Sequence, residues 1–228
     1  IIINNRAQTA EDFDTPEQHI HASAPGRPWE ACLTLNNNWG YNAADDDWKT
    51  PRQVVANLVR CASGGGNLLL NVGPRADGAI PAESERILRE VGQWLERNGG
   101  SIYGTQRSPL STSTGLCTLK GHTLYLHVLR WPGKELVVPR LATEVRSVHM
   151  LEGGKAVKFE QKGDRLFLSG LPGRAPDPFD TVLVVELVDE PRFLDYFRDG
   201  WESEAAAPRP AVEELTDQDQ EAEGSSEA

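Results

Sequence analysis

Glu17 and Glu30 stand in the chemically densest part of this chain. Asp14-Thr15-Pro16-Glu17 comes first, and Trp29-Glu30 then opens a stretch running to Trp39-Gly40-Tyr41-Asn42. Gly65-Gly66-Asn67-Leu68-Leu69-Leu70-Asn71 follows. Carboxylates, amides and aromatic rings alternate there with short apolar runs. Carbohydrate sites draw on that mixture: polar forks bind hydroxyls, flat rings cover the apolar face of a sugar, and carboxyl groups supply acid chemistry.

The spacing of the remaining polar groups points away from metals and cofactors. His19 and His21 have no third ligand at useful spacing, and read instead as exposed loop histidines or the lining of a subsite. Asp45-Asp46-Asp47 lacks the alternating ligands and closing glutamate of a calcium loop, so a solvated turn is expected. Ser63-Gly64-Gly65-Gly66 has no Lys-Ser/Thr pair and leads into a strand, which excludes a phosphate loop. Cys32, Cys61 and Cys117 are too widely spaced for a disulfide framework or a zinc site and read as buried filler.

Strands and helices in alternation must position these groups. Residues 1–4 open on three isoleucines, which predicts a buried strand already under way; with no initiator Met, the chain reads as the later part of a longer polypeptide. Residues 5–28 form a loop of about two dozen residues, long enough to suggest function. A strand is expected at 31–35. Thr50 caps a helix with Pro51 at its first position and Val54, Val55, Leu58 and Val59 on one face. A buried strand at 67–72 follows, then a helix opened by Pro81 and closed by Asn98-Gly99-Gly100. This is the grammar of a parallel α/β architecture, and specifically of the C-terminal part of a (β/α)8-type barrel.

After Thr105 the pattern changes to short β-rich runs at 116–119, 123–129, 136–138, 145–150, 157–161, 165–169 and 181–187, separated by turns such as Lys120-Gly121-His122 and Lys162-Gly163-Asp164. An antiparallel β-sandwich of about seven strands is expected, with Tyr125, Trp131 and Phe167 as packing aromatics. The fold class is therefore α/β plus all-β, divided as 1–105 partial barrel, 106–190 sandwich and 191–228 acidic tail. Phe193, Tyr196, Phe197 and Trp201 are expected to dock on the sandwich, with disorder beyond them.

The formal net charge of −11 is unevenly placed. From residue 202 onward nine acidic residues face one basic residue, Arg209, which gives −8 and leaves about −3 for the other 201 residues. No basic stripe marks a nucleic-acid surface, and no run approaches the roughly 20 apolar residues of a membrane span.

Asn4-Asn5-Arg6, Asp12-Phe13-Asp14-Thr15-Pro16-Glu17-Gln18, Trp29-Glu30-Ala31-Cys32-Leu33-Thr34, Trp39-Gly40-Tyr41-Asn42, the Gly65-to-Asn71 run with Gly73-Pro74, Asp77-Gly78 and Ser101-Ile102-Tyr103-Gly104-Thr105 occur in that order. Together they resemble the α-L-fucosidases of glycoside hydrolase family 29, through residues 1–105 and more loosely through 106–190. The resemblance implies a (β/α)-barrel followed by a β-sandwich, a retaining two-carboxylate mechanism, no metal or cofactor, and fucosylated glycans or glycoconjugates as partners. It also implies a secreted or periplasmic setting.

Glu17 matches the family's acid/base in the Thr-Pro-Glu motif, with Glu30 as the alternative. The plainer readings are a solvated loop glutamate for Glu17 and a loop-orienting one for Glu30. Arg6 falls among the sugar-binding residues by resemblance, and otherwise reads as a structural salt bridge. Trp39 and Tyr41 are placed to cover the C5 methyl group of fucose, or else fill a core. Asn67 and Asn71 flank an apolar strand and mainly satisfy backbone groups. The family's nucleophile lies on a strand before the Asn-Asn-Arg motif, so it is expected upstream of Ile1, and this chain alone is expected to be inactive. The competing expectation is a non-catalytic carbohydrate-binding or scaffolding protein derived from a glycosidase.

Overall fold

A reciprocal pair of hydrogen bonds starts the first helix. The Thr50 hydroxyl accepts from the Gln53 backbone N–H, and the Gln53 side chain accepts from the Thr50 backbone N–H at 2.7 Å. With Pro51 at the first helical position, α1 (Pro51–Ser63) runs to the Gly64–Gly66 turn. The second helix, α2 (Ala82–Asn98), has no side-chain cap but carries Glu83 and Glu85 in its first turn and Arg97 in its last, which suits the helix dipole. The two helices accompany two parallel strands, β1 (Glu30–Thr34) and β2 (Asn67–Asn71), paired in register from Glu30↔Asn67 to Thr34↔Asn71.

The parallel arrangement extends beyond these two strands. Single parallel bridges join Asn4 to Phe13, Asp14 to Trp29 and Glu17 to Cys32. Segments 3–5, 12–17 and 29–34 and strand β2 therefore lie side by side in chain order, all pointing the same way. The computed structural model describes residues 1–7 and 10–195. Ile1–Leu194 forms one unit, and only Asp195 is described of a second, Asp195–Ala228. Tyr196, Phe197, Trp201 and the acidic tail lie outside the described residues.

The eight remaining strands are β3 (Gln106–Thr112), β4 (Gly115–Lys120), β5 (Thr123–Val128), β6 (Glu135–Val138), β7 (Val145–Met150), β8 (Lys158–Lys162), β9 (Arg165–Ser169) and β10 (Thr181–Leu187). They form an antiparallel five-stranded sheet, β3-β4-β5-β10-β7, and a three-stranded sheet, β6-β9-β8. Leu124, Leu126, Leu183 and Val185 from the larger sheet meet Leu136, Val138, Leu166 and Leu168 from the smaller in one core. The sandwich expected from the turn-punctuated pattern is present. Phe193 packs against this core and bridges to Leu141, as expected of the docking aromatics.

Strand β10 is buried on both faces because the larger sheet has helices behind it. Val182 joins Leu35, Val54, Val55, Ile87, Val91 and Trp94 in a second core, with Leu116 and Tyr125 packed against it. Polar groups tie this layer together. The Trp94 indole donates to the Asp180 carbonyl at 3.0 Å, and His127 Nδ1 donates to Asp180 Oδ2 at 2.6 Å with both side chains fully buried. The Thr118 hydroxyl donates to the Ser101 carbonyl at 2.7 Å.

Three expectations are corrected. Residues 1–3 are not a strand, and Ile1 and Ile2 are exposed. An apolar run is buried only where elements cover both of its faces, and among the described residues only the 12–13 segment lies alongside. Strand β2 is likewise only partly buried, with Leu69 51 % exposed, because among the described residues β1 is its one strand neighbour. Strand β3 was missed: Pro109 and the Ser/Thr-rich neighbours hide the alternation in which Ser108 and Leu110 are buried, and Pro is tolerated because β3 is at the sheet edge.

Candidate active site

Side-chain alternation along β1 separates two environments. Trp29 and Ala31 face α1, packing with Cys61, Ile20, Ala22 and Leu68. Gly66 allows this approach, since a Cβ there would fall 2.2 Å from the Trp29 ring. Glu30, Cys32 and Thr34 occupy the alternate positions, beside the 14–18 segment. There Cys32 N–H donates to the Pro16 carbonyl and Gln18 N–H to the Cys32 carbonyl, both at 2.9 Å, which locks Glu17 against the strand.

Arg6 is drawn to the same place by a chain of polar contacts. Asn5 Oδ1 accepts from both the hydroxyl (2.7 Å) and the backbone N–H (3.2 Å) of Thr15, and Thr15 Oγ1 in turn accepts from Arg6 Nε at 3.1 Å. Arg6 Nη2 then meets Glu17 Oε2 at 3.2 Å, with the two side chains 47 % and 46 % exposed. The buried Cys32 thiol records the surroundings: burial pushes its pKa up, the Arg6 charge pulls it down, and the Glu30 and Glu17 carboxylates push it up. The charges of Arg6, Glu17 and Glu30 thus all act on this one thiol.

Trp39 and Tyr41 form a separate group, held by a hydrogen bond to the last residue of β2 and a ring contact to the segment after it. The Asn71 amide donates to the Trp39 carbonyl at 2.8 Å, and the Arg75 guanidinium lies 6.0 Å from the Tyr41 ring centroid. Gly73 passes so close to Gly40 and Tyr41 that a Cβ there would lie 2.8 Å from their backbone. Both rings are substantially exposed, at 40 % and 46 %, which is not the fate of core-filling aromatics. They follow the C-terminal end of β1, and Asn71 and Arg75 mark that of β2. Ligands of parallel α/β folds bind at that edge.

Three contributors escaped the sequence reading. Asp14 accepts from Arg27 Nε and Nη2 (2.9 and 2.7 Å) and from the Ser23 hydroxyl (2.5 Å), clamping the 18–28 loop onto the segment that carries Glu17. The Arg27 guanidinium, and secondarily Ser23, holds this carboxyl below its usual range. Asp45, expected to be solvated, organises the loop after β1 by accepting from Asn37 N–H, the Asn38 amide and Asp47 N–H. Burial pushes its pKa up, yet these bonds outweigh it and the net shift is downward. The Asn/Asp alternation at 36–38 and 45–47 was the available signal for such turns. The third is Gln18, whose side-chain amide bonds Thr34.

A cavity of about 1060 Å³ lies on the other side of β1, lined by Gln18, His19, Trp29, Leu33, Arg60 and Arg107 among others. Neither Glu17 nor Arg6 lines it, so the site is assigned by its chemistry and not by cavity size. His19 Nδ1 contacts the Glu17 carbonyl at 2.8 Å and leaves the carboxylate to Arg6.

Comparison with known proteins shows what the chain is similar to. Residues 1–100 match the family model described as alpha-L-fucosidase. The tissue alpha-L-fucosidase of Bos taurus is 36 % identical over 163 residues, 66 % of this chain and 35 % of that protein. The chain thus spans about a third of that relative's length. Among solved structures, alpha-L-fucosidase isoenzyme 1 from Paenibacillus thiaminolyticus is 41 % identical with a TM-score of 0.73, covering 78 % of this chain and 45 % of that one. The alpha-fucosidase of Thermotoga maritima, solved with a mechanism-based inhibitor, is 30 % identical with a TM-score of 0.71, covering 81 % and 45 %.

Proposed function

We propose that this chain, whose residues 1–100 match the alpha-L-fucosidase family model, forms the acid/base side of a retaining exo-glycosidase releasing terminal α-L-fucosyl residues from glycoconjugates. The Arg6–Glu17 contact at 3.2 Å carries this reading, because it joins two motifs on neighbouring parallel segments at the edge where such folds bind ligands.

Glu17 protonates the departing glycosidic oxygen in the first step and takes a proton from water in the second. Its half exposure suits both steps, since leaving group and water each need access. Arg6 orients the carboxylate and offers a planar fork to the sugar ring. Trp39 and Tyr41 supply exposed aromatic faces for the apolar side of fucose, including its C5 methyl group. Glu30, on the same side of β1, is the alternative acid/base. The nucleophilic carboxylate of this mechanism is assigned to a strand preceding Asn4-Asn5-Arg6, outside residues 1–228. The side-by-side parallel segments support a (β/α)-barrel setting, and exposed Leu69 on β2 supports further cover by neighbouring elements.

The test is release of 4-nitrophenol from 4-nitrophenyl α-L-fucoside by this chain and by a version extended upstream to eight strand–helix units. Turnover confined to the extended protein is expected. A folded extended protein without turnover would sink the reading and turn attention to non-catalytic glycan binding. Turnover by the 228-residue chain alone would refute the placement of the nucleophile.

A further inference from the structure

The backbone ladder that holds Glu17 against β1 is finished by a side chain. In the parallel pairing, Cys32 N–H donates to the Pro16 carbonyl and Gln18 N–H donates to the Cys32 carbonyl. The next rung of such a ladder would take Thr34 N–H to the Gln18 carbonyl. Instead Thr34 N–H donates to the Gln18 side-chain oxygen Oε1 at 3.4 Å, and Gln18 Nε2 donates to the Thr34 hydroxyl at 3.0 Å. The side-chain amide thus does the work of a peptide group.

This substitution frees the main chain to leave the strand immediately after Glu17. Gln18 has φ of +58°, a left-handed conformation uncommon outside glycine. The chain turns away there into the 18–28 loop, while the Gln18 amide stays bonded to buried Thr34. Strained backbone of this kind persists only where surrounding contacts over-determine it. The backbone bond to the Cys32 carbonyl and the side-chain bonds to the Thr34 N–H and hydroxyl do so here. They act on the residue next to the carboxylate assigned as acid/base.

We infer that Gln18 is a positioning residue, whose side chain replaces the last rung of the parallel ladder and fixes the direction from which Glu17 delivers its proton. The inference rests on the fucosidase reading for its kinetic consequence, but its structural half is independent of that reading.

Amide hydrogen exchange on the 228-residue chain tests the structural half. In Gln18→Ala, exchange at Thr34 should quicken while Cys32 N–H, bonded to Pro16, keeps its protection. Gln18→Glu retains an acceptor and should largely preserve Thr34 protection. Unchanged Thr34 exchange in Gln18→Ala would overturn the proposal, and collapse of both protections would show a loss of fold instead of a lost rung.

The kinetic half uses the extended protein and two substrates. Hydrolysis of 2,4-dinitrophenyl α-L-fucoside needs little acid assistance, whereas phenyl α-L-fucoside needs much. Gln18→Ala should lower kcat on the phenyl substrate by about tenfold to a hundredfold, with KM and the dinitrophenyl rate little changed, since small misplacements cost rates of that order. Equal losses on both substrates, or none, would overturn the positioning role. If the unsubstituted extended protein turns over neither substrate, the fucosidase reading fails, and the exchange experiment still decides whether Gln18 completes the ladder.

Discussion

Arg6 and Glu17 meet at 3.2 Å although ten residues separate them, because Asn5 and Thr15 are hydrogen-bonded to each other at their sides. Each partner is about half exposed, so the contact contributes little to stability, on the order of 0–1 kcal/mol. Its weight falls on geometry. In the extended protein, Glu17→Ala should lower kcat on phenyl α-L-fucoside by about 10²–10⁴-fold, with partial rescue by azide. Unfolding midpoints should barely move. If Glu30→Ala shows that pattern and Glu17→Ala does not, the acid/base assignment passes to Glu30.

The Asp14 clamp gives a pH dependence of known sign. Hydrogen bonds from Arg27 and Ser23 depress the Asp14 pKa below its ordinary value of 3.8. The clamp's contribution is therefore complete above that value and is lost as the pH falls through the lowered folded-state pKa. Amide exchange in residues 18–28 should accordingly show no clamp-dependent change between neutral pH and about pH 5. Asp14→Asn should loosen the same residues at neutral pH. Identical exchange in the two proteins would remove Asp14 from this role.

The buried His127–Asp180 pair should be far more costly to break than any surface ion pair. Both side chains are fully buried, and Asp180 also accepts from Trp94 through its backbone carbonyl. Asp180→Ala leaves the imidazole Nδ1 without its partner and should destabilise the unit by about 1–3 kcal/mol in urea denaturation. A loss below about 1 kcal/mol would show that the pair is not needed to hold the helices on the larger sheet.

The cysteines should be chemically quiet in the folded chain. Burial raises the Cys61 pKa to about 12, and pushes Cys117 and Cys32 up as well. Reaction with Ellman's reagent at pH 8 should be slow for all three and quick after denaturation. Cys32, at 5 % exposure and near the Arg6 charge, should react before the two fully buried thiols. Immediate reaction of the native protein would contradict the packing around β1 and α1.

Much of the local structure was legible because its causes are local. Thr50-Pro51 with Gln53 specifies a helix start by neighbouring hydrogen bonds, and Gly64–Gly66 specifies its end. Alternation between turns exposed most of the sandwich strands for the same reason. Strand β3 escaped because Pro109 suits an edge, and edges are set by what a strand does not pair with. Burial of residues 1–3 and β2 was misread because burial belongs to neighbours, not to the residue.

By itself the sequence determined which groups are available: a Thr-Pro-Glu carboxylate, an Asn-Asn-Arg fork, two aromatics after a strand, and a motif order that resembles one family's. Only the tertiary structure decided which of them meet. Parallel pairing set Glu17 beside Cys32 and in contact with Arg6, and left Trp39 and Tyr41 with Asn71 and Arg75. It also gave Asp14, Asp45 and Gln18 roles that their residue types do not announce. The reason is physical: a side chain's chemistry is carried by its own atoms, but its partners are chosen by strand register and loop closure, which depend on residues far along the chain.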